Sequence, residues 1–130
     1  MTKPRVLMVD DEVEFLNAMV KVLRKREMDV TGVSSGSEAL AALRGEPIDV
    51  VLLDYMMPGM NGMDALREIK KQWPYTEVIM LTAVGSVESG IEGMRRGAFD
   101  FVLKPADIDE LVDKIRQAYE RKVLHSRDGV

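Results

Sequence analysis

The chain has no cysteine. That excludes a disulfide frame and thiol catalysis, and it is compatible with a reducing compartment. It has one histidine, His125, near the end of the sequence. A lone histidine there reads as a solvated tail residue, so neither a histidine-built metal centre nor a histidine phosphoryl carrier is expected. Positive charge is not in excess: the net charge is −4, which suits duplex DNA poorly because phosphates favour Lys/Arg-rich surfaces. The short basic clusters Arg24-Lys25-Arg26, Arg95-Arg96 and Arg121-Lys122 each fall near an expected helix C-terminus, where cations suit the dipole. No apolar run approaches the ~20 residues that cross a bilayer. The first apolar run is too short for a signal segment and runs into three acids. A Walker loop and a Gly-x-Gly-x-x-Gly signature are both missing. So are internal repeats, low-complexity tracts and internal domain boundaries. Aromatic residues are few, at 5%, and Trp73, just before Pro74, reads as packing. The ten methionines fall mostly on core stripes.

What is present is a strand-helix alternation repeated five times. Apolar strands are expected at Arg5 to Val9, about Asp29 to Val33, Asp49 to Asp54, Glu77 to Leu81 and Ala98 to Leu103. Helical spacing follows each one. The expected inward residues are Leu16, Met19, Val20 and Leu23 in the first helix, and Met63, Leu66 and Ile69 in the third, about Met63 to Gln72. In the fourth, about Ser86 to Arg96, they are Val87, Ile91 and Met94. The fifth helix has a stripe of Ile108, Leu111, Val112, Ile115, Ala118 and Tyr119. Ser37 stands just ahead of the second helix in an N-cap region. Asp107 or Asp109 can cap the fifth. Near-continuous apolar strands imply a parallel sheet covered on both faces. The expected fold is therefore α/β, a doubly wound five-stranded parallel sheet in the flavodoxin-like order 2-1-3-4-5. One domain is expected over residues 1–122, with 123–130 as a frayed tail or the start of a linker.

The polar residues of interest sit where these strands end. The first strand runs into Asp10-Asp11-Glu12, the third ends in Asp54, the fourth in Thr82 and the fifth in Lys104-Pro105. In the expected order, strands one and three are neighbours, so Asp10, Asp11 and Asp54 share one cleft. Clustered carboxylates raise one another's pKa unless a cation neutralises them. A hard divalent ion, Mg²⁺ or Mn²⁺, fits oxygen ligands and keeps coordination sites for a further oxygen. Helix capping could account for Asp10 or Asp11, but not for Asp54, which precedes a Pro/Gly loop. A phosphoryl group on Asp54 would place its oxygens among the cation, the Lys104 ammonium and the Thr82 hydroxyl, as phosphoryl transfer requires. Taken singly, Thr82 reads equally well as a buried strand-end threonine, and Lys104 as a solvated lysine covering the sheet edge. A haloacid-dehalogenase-type phosphatase would need an acid two residues after its nucleophile, where this chain has Met56. A flavin phosphate would be repelled by Asp10-Asp11-Glu12.

Four segments together resemble the receiver domain of two-component response regulators. They are Val9-Asp10-Asp11-Glu12, Leu53-Asp54-Tyr55-Met56-Met57-Pro58-Gly59-Met60-Asn61-Gly62, Leu81-Thr82-Ala83 and Gly97 to Pro105. The resemblance spans about Lys3 to Arg121 and implies specific roles. Asp54 matches the phospho-acceptor. Asp11 and Asp54 would bind the metal with the main-chain carbonyl of Met56, and Asp10 through water or in support. Thr82 and Ala83 would meet the phosphoryl group, Lys104 would pair with it, and the Lys104-Pro105 peptide would be cis. Phe101 matches the aromatic switch; where the family often has Tyr, it brings no hydroxyl. Met56 and Val84 match positions that tune phosphoryl lifetime, and since both are apolar, slow self-dephosphorylation is expected. The family implies a cytoplasmic switch rather than an enzyme acting on a separate substrate. The implied partners are a sensor histidine kinase or phosphotransfer protein, and a downstream partner, attached output domain or second copy through the surface of the fourth helix, fifth strand and fifth helix. No direct nucleic-acid or membrane contact is implied.

Overall fold

Five short apolar runs form the strands of this computed structural model: β1 (Arg5–Val9), β2 (Asp29–Val33), β3 (Val50–Asp54), β4 (Glu77–Ala83) and β5 (Asp100–Lys104). Between and after them lie α1 (Val13–Lys25), α2 (Gly36–Gly45), α3 (Gly62–Gln72), α4 (Val87–Arg95) and α5 (Ile108–Asp128). The structure describes residues 3–57, 59–83, 87–104 and 107–128. All four strand pairings are parallel, in the order β2-β1-β3-β4-β5, as the alternation predicts.

Because side chains alternate across a strand, the central strands feed two cores. On one face Val6, Met8, Val50, Leu52, Ile79, Leu81 and Val102 pack with the inward stripes of α1 and α5. On the other, Leu7, Val9, Val51, Leu53, Val78 and Met80 pack with α2 and α3. All of β3 is buried. Its last residue, Asp54, is therefore presented at the rim by a strand buried along its length and paired on both sides. Among the described residues, no helix is long and apolar enough to cross a membrane.

The structure corrects three local expectations. The α2 cap is Ser35, not Ser37: its side chain accepts from the Glu38 N–H, while the Glu38 carboxylate accepts from the N–H and Oγ of Ser34. This reciprocal arrangement satisfies orphan donors at the helix start. In α4 the inward residues are Gly90 and Gly93, whereas Val87, Ile91 and Met94 are 43%, 43% and 44% exposed. Finally, α5 continues through residues 123–128 instead of fraying, which places His125 on an exposed helical turn. The expected cap of α5 is present: Asp107 Oδ1 accepts from the N–H groups of Asp109 and Glu110.

Candidate functional site

The register places the acids and their partners on one rim. Asp10 follows β1, and its N–H donates to Val33 O. Asp54 is the register partner of Leu81, so Thr82 stands one residue further along the adjacent strand. Thr82 in turn pairs with Leu103, and Ala83 with Lys104. The loop after Asp54 is drawn back under the rim by backbone bonds from Tyr55 N–H to Leu81 O and from Gly62 N–H to Tyr55 O. Gly62 is required there: a Cβ would lie 2.7 Å from the backbone oxygen of Asp54 and from the Tyr55 Cα.

Asp10 is 0% exposed, Asp54 5% and Thr82 1%. Each of Asp10, Asp11 and Asp54 offers a carboxylate oxygen, and these three oxygens lie within 4.8 Å of one another. Three hard oxygen donors so close fit a divalent cation. The Asp54 carboxylate is pushed up to about 6 by burial first and by the Asp10 charge second, with Lys104 opposing. Such a shift marks negative charge that the protein's own groups compensate incompletely. The capping explanation covers part of the cluster. Asp10 Oδ1 accepts from the Glu12 N–H at 2.9 Å, but the α1 cap residue, Glu12, makes no side-chain cap bond.

Lys104 supplies the positive charge. Its Nζ is 2.7 Å from Asp10 Oδ2, 3.3 Å from Glu12 Oε1 and 3.5 Å from Asp54 Oδ1. Burial pulls its pKa down, but the Asp10 hydrogen bond and the Asp54 and Asp10 charges outweigh that and raise it. The Met56 N–H donates to Asp54 Oδ1 at 3.4 Å, while the Met56 side chain is 69% exposed. Phe101 lies on β5 with its ring against α4: a Cβ on Gly90 would be 2.4 Å from it. The structure thus gathers Asp10, Asp11, Asp54, Thr82 and Lys104 at one rim and sets Phe101 on the neighbouring strand toward α4. Val84 and Pro105, and with Pro105 the implied cis peptide, lie outside the described residues, as does the side chain of Ala83. Two neighbours of Lys104 escaped the sequence reading. Glu12 was legible only as part of an acidic run. Phe15, whose ring centroid is 4.7 Å from Lys104 Nζ, sits three residues further along the same helix face, a spacing that could have linked them.

Comparison with known proteins agrees with this geometry. The family model of the response regulator receiver domain matches residues 6–116. TcrX of Mycobacterium tuberculosis is 39% identical over 124 residues, covering 95% of this chain and 53% of that protein. The solved response regulator receiver domain protein of Clostridium thermocellum superposes with a TM-score of 0.88 at 37% identity, covering 93% of this chain and 98% of that one. NtrX of Brucella abortus does so with a TM-score of 0.93 at 31% identity, covering 98% of this chain and 30% of that one. The chain spans about half or less of the length of the curated relatives it matches. By fold, by the acids and lysine at one rim and by sequence, it belongs to the response regulator receiver domain family.

Proposed function

We propose that Asp54 accepts a phosphoryl group from a phosphohistidine on a sensor histidine kinase or phosphotransfer protein. The observation that carries this reading is one rim that joins a buried, pKa-raised Asp54 to two further acids and to Lys104. In the step, an Asp54 carboxylate oxygen attacks phosphorus. The P–N bond to the donor imidazole breaks, the imidazole nitrogen takes up a proton, and an acyl phosphate forms. Negative charge spreads over the three transferred oxygens. Lys104 is placed to meet one of them, and the Thr82 hydroxyl stands on the next strand for another. Asp10, Asp11, Asp54 and the main-chain carbonyl of Met56 would hold Mg²⁺ or Mn²⁺, which when bound neutralises both the carboxylates and a phosphoryl oxygen. Water later cleaves the acyl phosphate. Met56 carries no polar atom able to orient that water strongly, so self-dephosphorylation is slow, and a half-life of seconds would contradict this. The chain catalyses only its own phosphorylation and dephosphorylation, in the cytoplasm.

Output follows from a population shift. Phe101 contacts α4 at Gly90, and α4 exposes Val87, Ile91 and Met94. A change at the rim can therefore reach an apolar surface made by α4, β5 and α5, where a partner protein, an attached output domain or a second copy docks. Direct nucleic-acid binding by this domain is not proposed, given its net charge of −4. The test is intact-mass measurement after incubation with acetyl phosphate and Mg²⁺. One phosphoryl adduct on wild type, absent from Asp54→Asn and from a metal-free control, is the expected result. No adduct on wild type would turn the reading toward a phosphorylation-independent interaction domain.

A further inference from the structure

Lys104 is held mainly from the α1 side. Among the described residues, Asp10, Glu12 and Phe15 around its ammonium belong to the β1-α1 segment, and Asp54 belongs to β3. The distances rank the same way: 2.7 Å to Asp10 and 3.3 Å to Glu12, against 3.5 Å to Asp54. The Phe15 ring lies 4.7 Å away and is itself fixed by packing against the α1-α5 core. Asp10 is committed to the acid cluster, so its oxygen is shared with any cation that enters. Phe15 and Glu12 are not part of that cluster. Their hold on the lysine therefore does not compete directly with a cation for its ligands.

We propose that Phe15, with Glu12, forms a parking site for the Lys104 ammonium and acts as a positioning device for phosphoryl capture. It holds the lysine closer to Asp10 and Glu12 than to Asp54 before modification and opposes its move onto the phosphoryl oxygens afterwards. The proposal rests on the phospho-acceptor reading and assigns the parking site one job within it. A cation over a ring face is stabilised by the ring quadrupole, and that attraction is lost when the cation is drawn away. Removing the ring therefore favours the captured state.

The experiment uses the whole chain with Mg²⁺ and beryllofluoride, a stable stand-in for a phosphoryl group on a carboxylate. NMR follows the ε-methylene protons of Lys104, which a ring face shifts upfield, and the beryllofluoride affinity is titrated for wild type, Phe15→Leu, Phe15→Tyr and Glu12→Gln. The expected result has three parts. The Lys104 ε-protons of the unmodified wild type lie upfield and return to the ordinary lysine range on beryllofluoride binding. Phe15→Leu removes the upfield shift and binds beryllofluoride about two- to fivefold more tightly, the range expected for a partly exposed cation–π contact. Phe15→Tyr, which keeps a ring face, behaves as wild type. Glu12 is exposed and makes no cap bond, so Glu12→Gln tests the site without touching the core, and it too reduces the upfield shift. Ordinary Lys104 shifts in unmodified wild type, or equal affinity in wild type and Phe15→Leu, would overturn the proposal. Upfield shifts in a wild type that binds no beryllofluoride would instead sink the phospho-acceptor reading, and the parking role with it.

Discussion

Asp54 carries a stored electrostatic cost. In the unfolded chain its carboxyl titrates near 3.8, and in the fold it is pushed up to about 6. Between those values the folded state binds more protons than the unfolded state. Stability therefore falls as pH rises from about 4 to about 6, and the full cost is present above that window. Asp54→Asn removes the charge and leaves Lys104 paired with Asp10 and Glu12. In EDTA at pH 7 the variant should be more stable than wild type by roughly 1–2 kcal/mol, a two-unit shift discounted for water at the rim. Urea unfolding should show that gain vanish by pH 4, and a gain independent of pH would refute the argument. Millimolar Mg²⁺ at pH 7 should stabilise wild type and close most of the gap, because binding to the folded state alone adds stability. The acids, Thr82 and Lys104 were legible in sequence for a simple reason: each ends an apolar run, and a parallel sheet brings strand ends together. Phe15 was not legible as a neighbour of Lys104. A phenylalanine on a helix stripe looks like any core residue, and only the packing of α1 beside β5's end reveals the cation above it.

Among the elements, α4 is where periodicity misled. Val87, Ile91 and Met94 form an apolar stripe at helical spacing, so a core-facing side was expected there. The structure turns that stripe outward and buries Gly90 and Gly93. The reason is contact distance. Without side chains at those two positions, the α4 backbone approaches the Phe101 ring and Met80, and added Cβ atoms would lie 2.4 Å and 2.9 Å from them. Pattern rules score a glycine as neutral and cannot see that it can be the inward residue. Gly90→Ala supplies the test. Helix propensity alone predicts a gain of about 1 kcal/mol. Overpacking against the ring predicts a net loss of about 1–3 kcal/mol, because Phe101 is itself hemmed in by the second core. Denaturant unfolding that showed net stabilisation would mean the α4-Phe101 contact is loose. A loss accompanied by shifted Phe101 resonances would show that the ring and α4 are packed tightly enough for a change in one to reach the other.

At the scale of the molecule, the sheet has two working ends. The C-terminal ends of the strands carry the acids, Thr82 and Lys104. At the opposite end, buried Glu77 and half-buried Asp49 clamp the far end of α5: Arg121 Nε is 3.2 Å from Glu77, and Lys122 Nζ is 2.8 Å from Asp49. Lys70 adds a third cation, 3.6 Å from Glu77. Burial lowers its pKa, and the Glu77 charge restores part of it. The sequence reading placed Arg121-Lys122 at a helix end, where it let the chain fray. The clamp instead helps the helix persist, and its partners are too distant in sequence for local patterns to link. Glu77→Gln should destabilise the fold by roughly 1–3 kcal/mol, because it leaves the half-buried Lys70 ammonium short of its charge partner. It should also raise amide hydrogen exchange in residues 119–124 of α5 while leaving beryllofluoride affinity unchanged. An altered affinity would show that the two ends are coupled.

The proposed phosphorylation forms one covalent bond at one residue. Borohydride reduction of the chain after phosphorylation by acetyl phosphate and Mg²⁺, followed by peptide mapping, locates that bond directly, since only an acyl phosphate is reduced to the alcohol. Reduction is expected at Asp54 alone, dependent on the divalent cation. Reduction at Asp10 or Asp11, or at no residue, would contradict it.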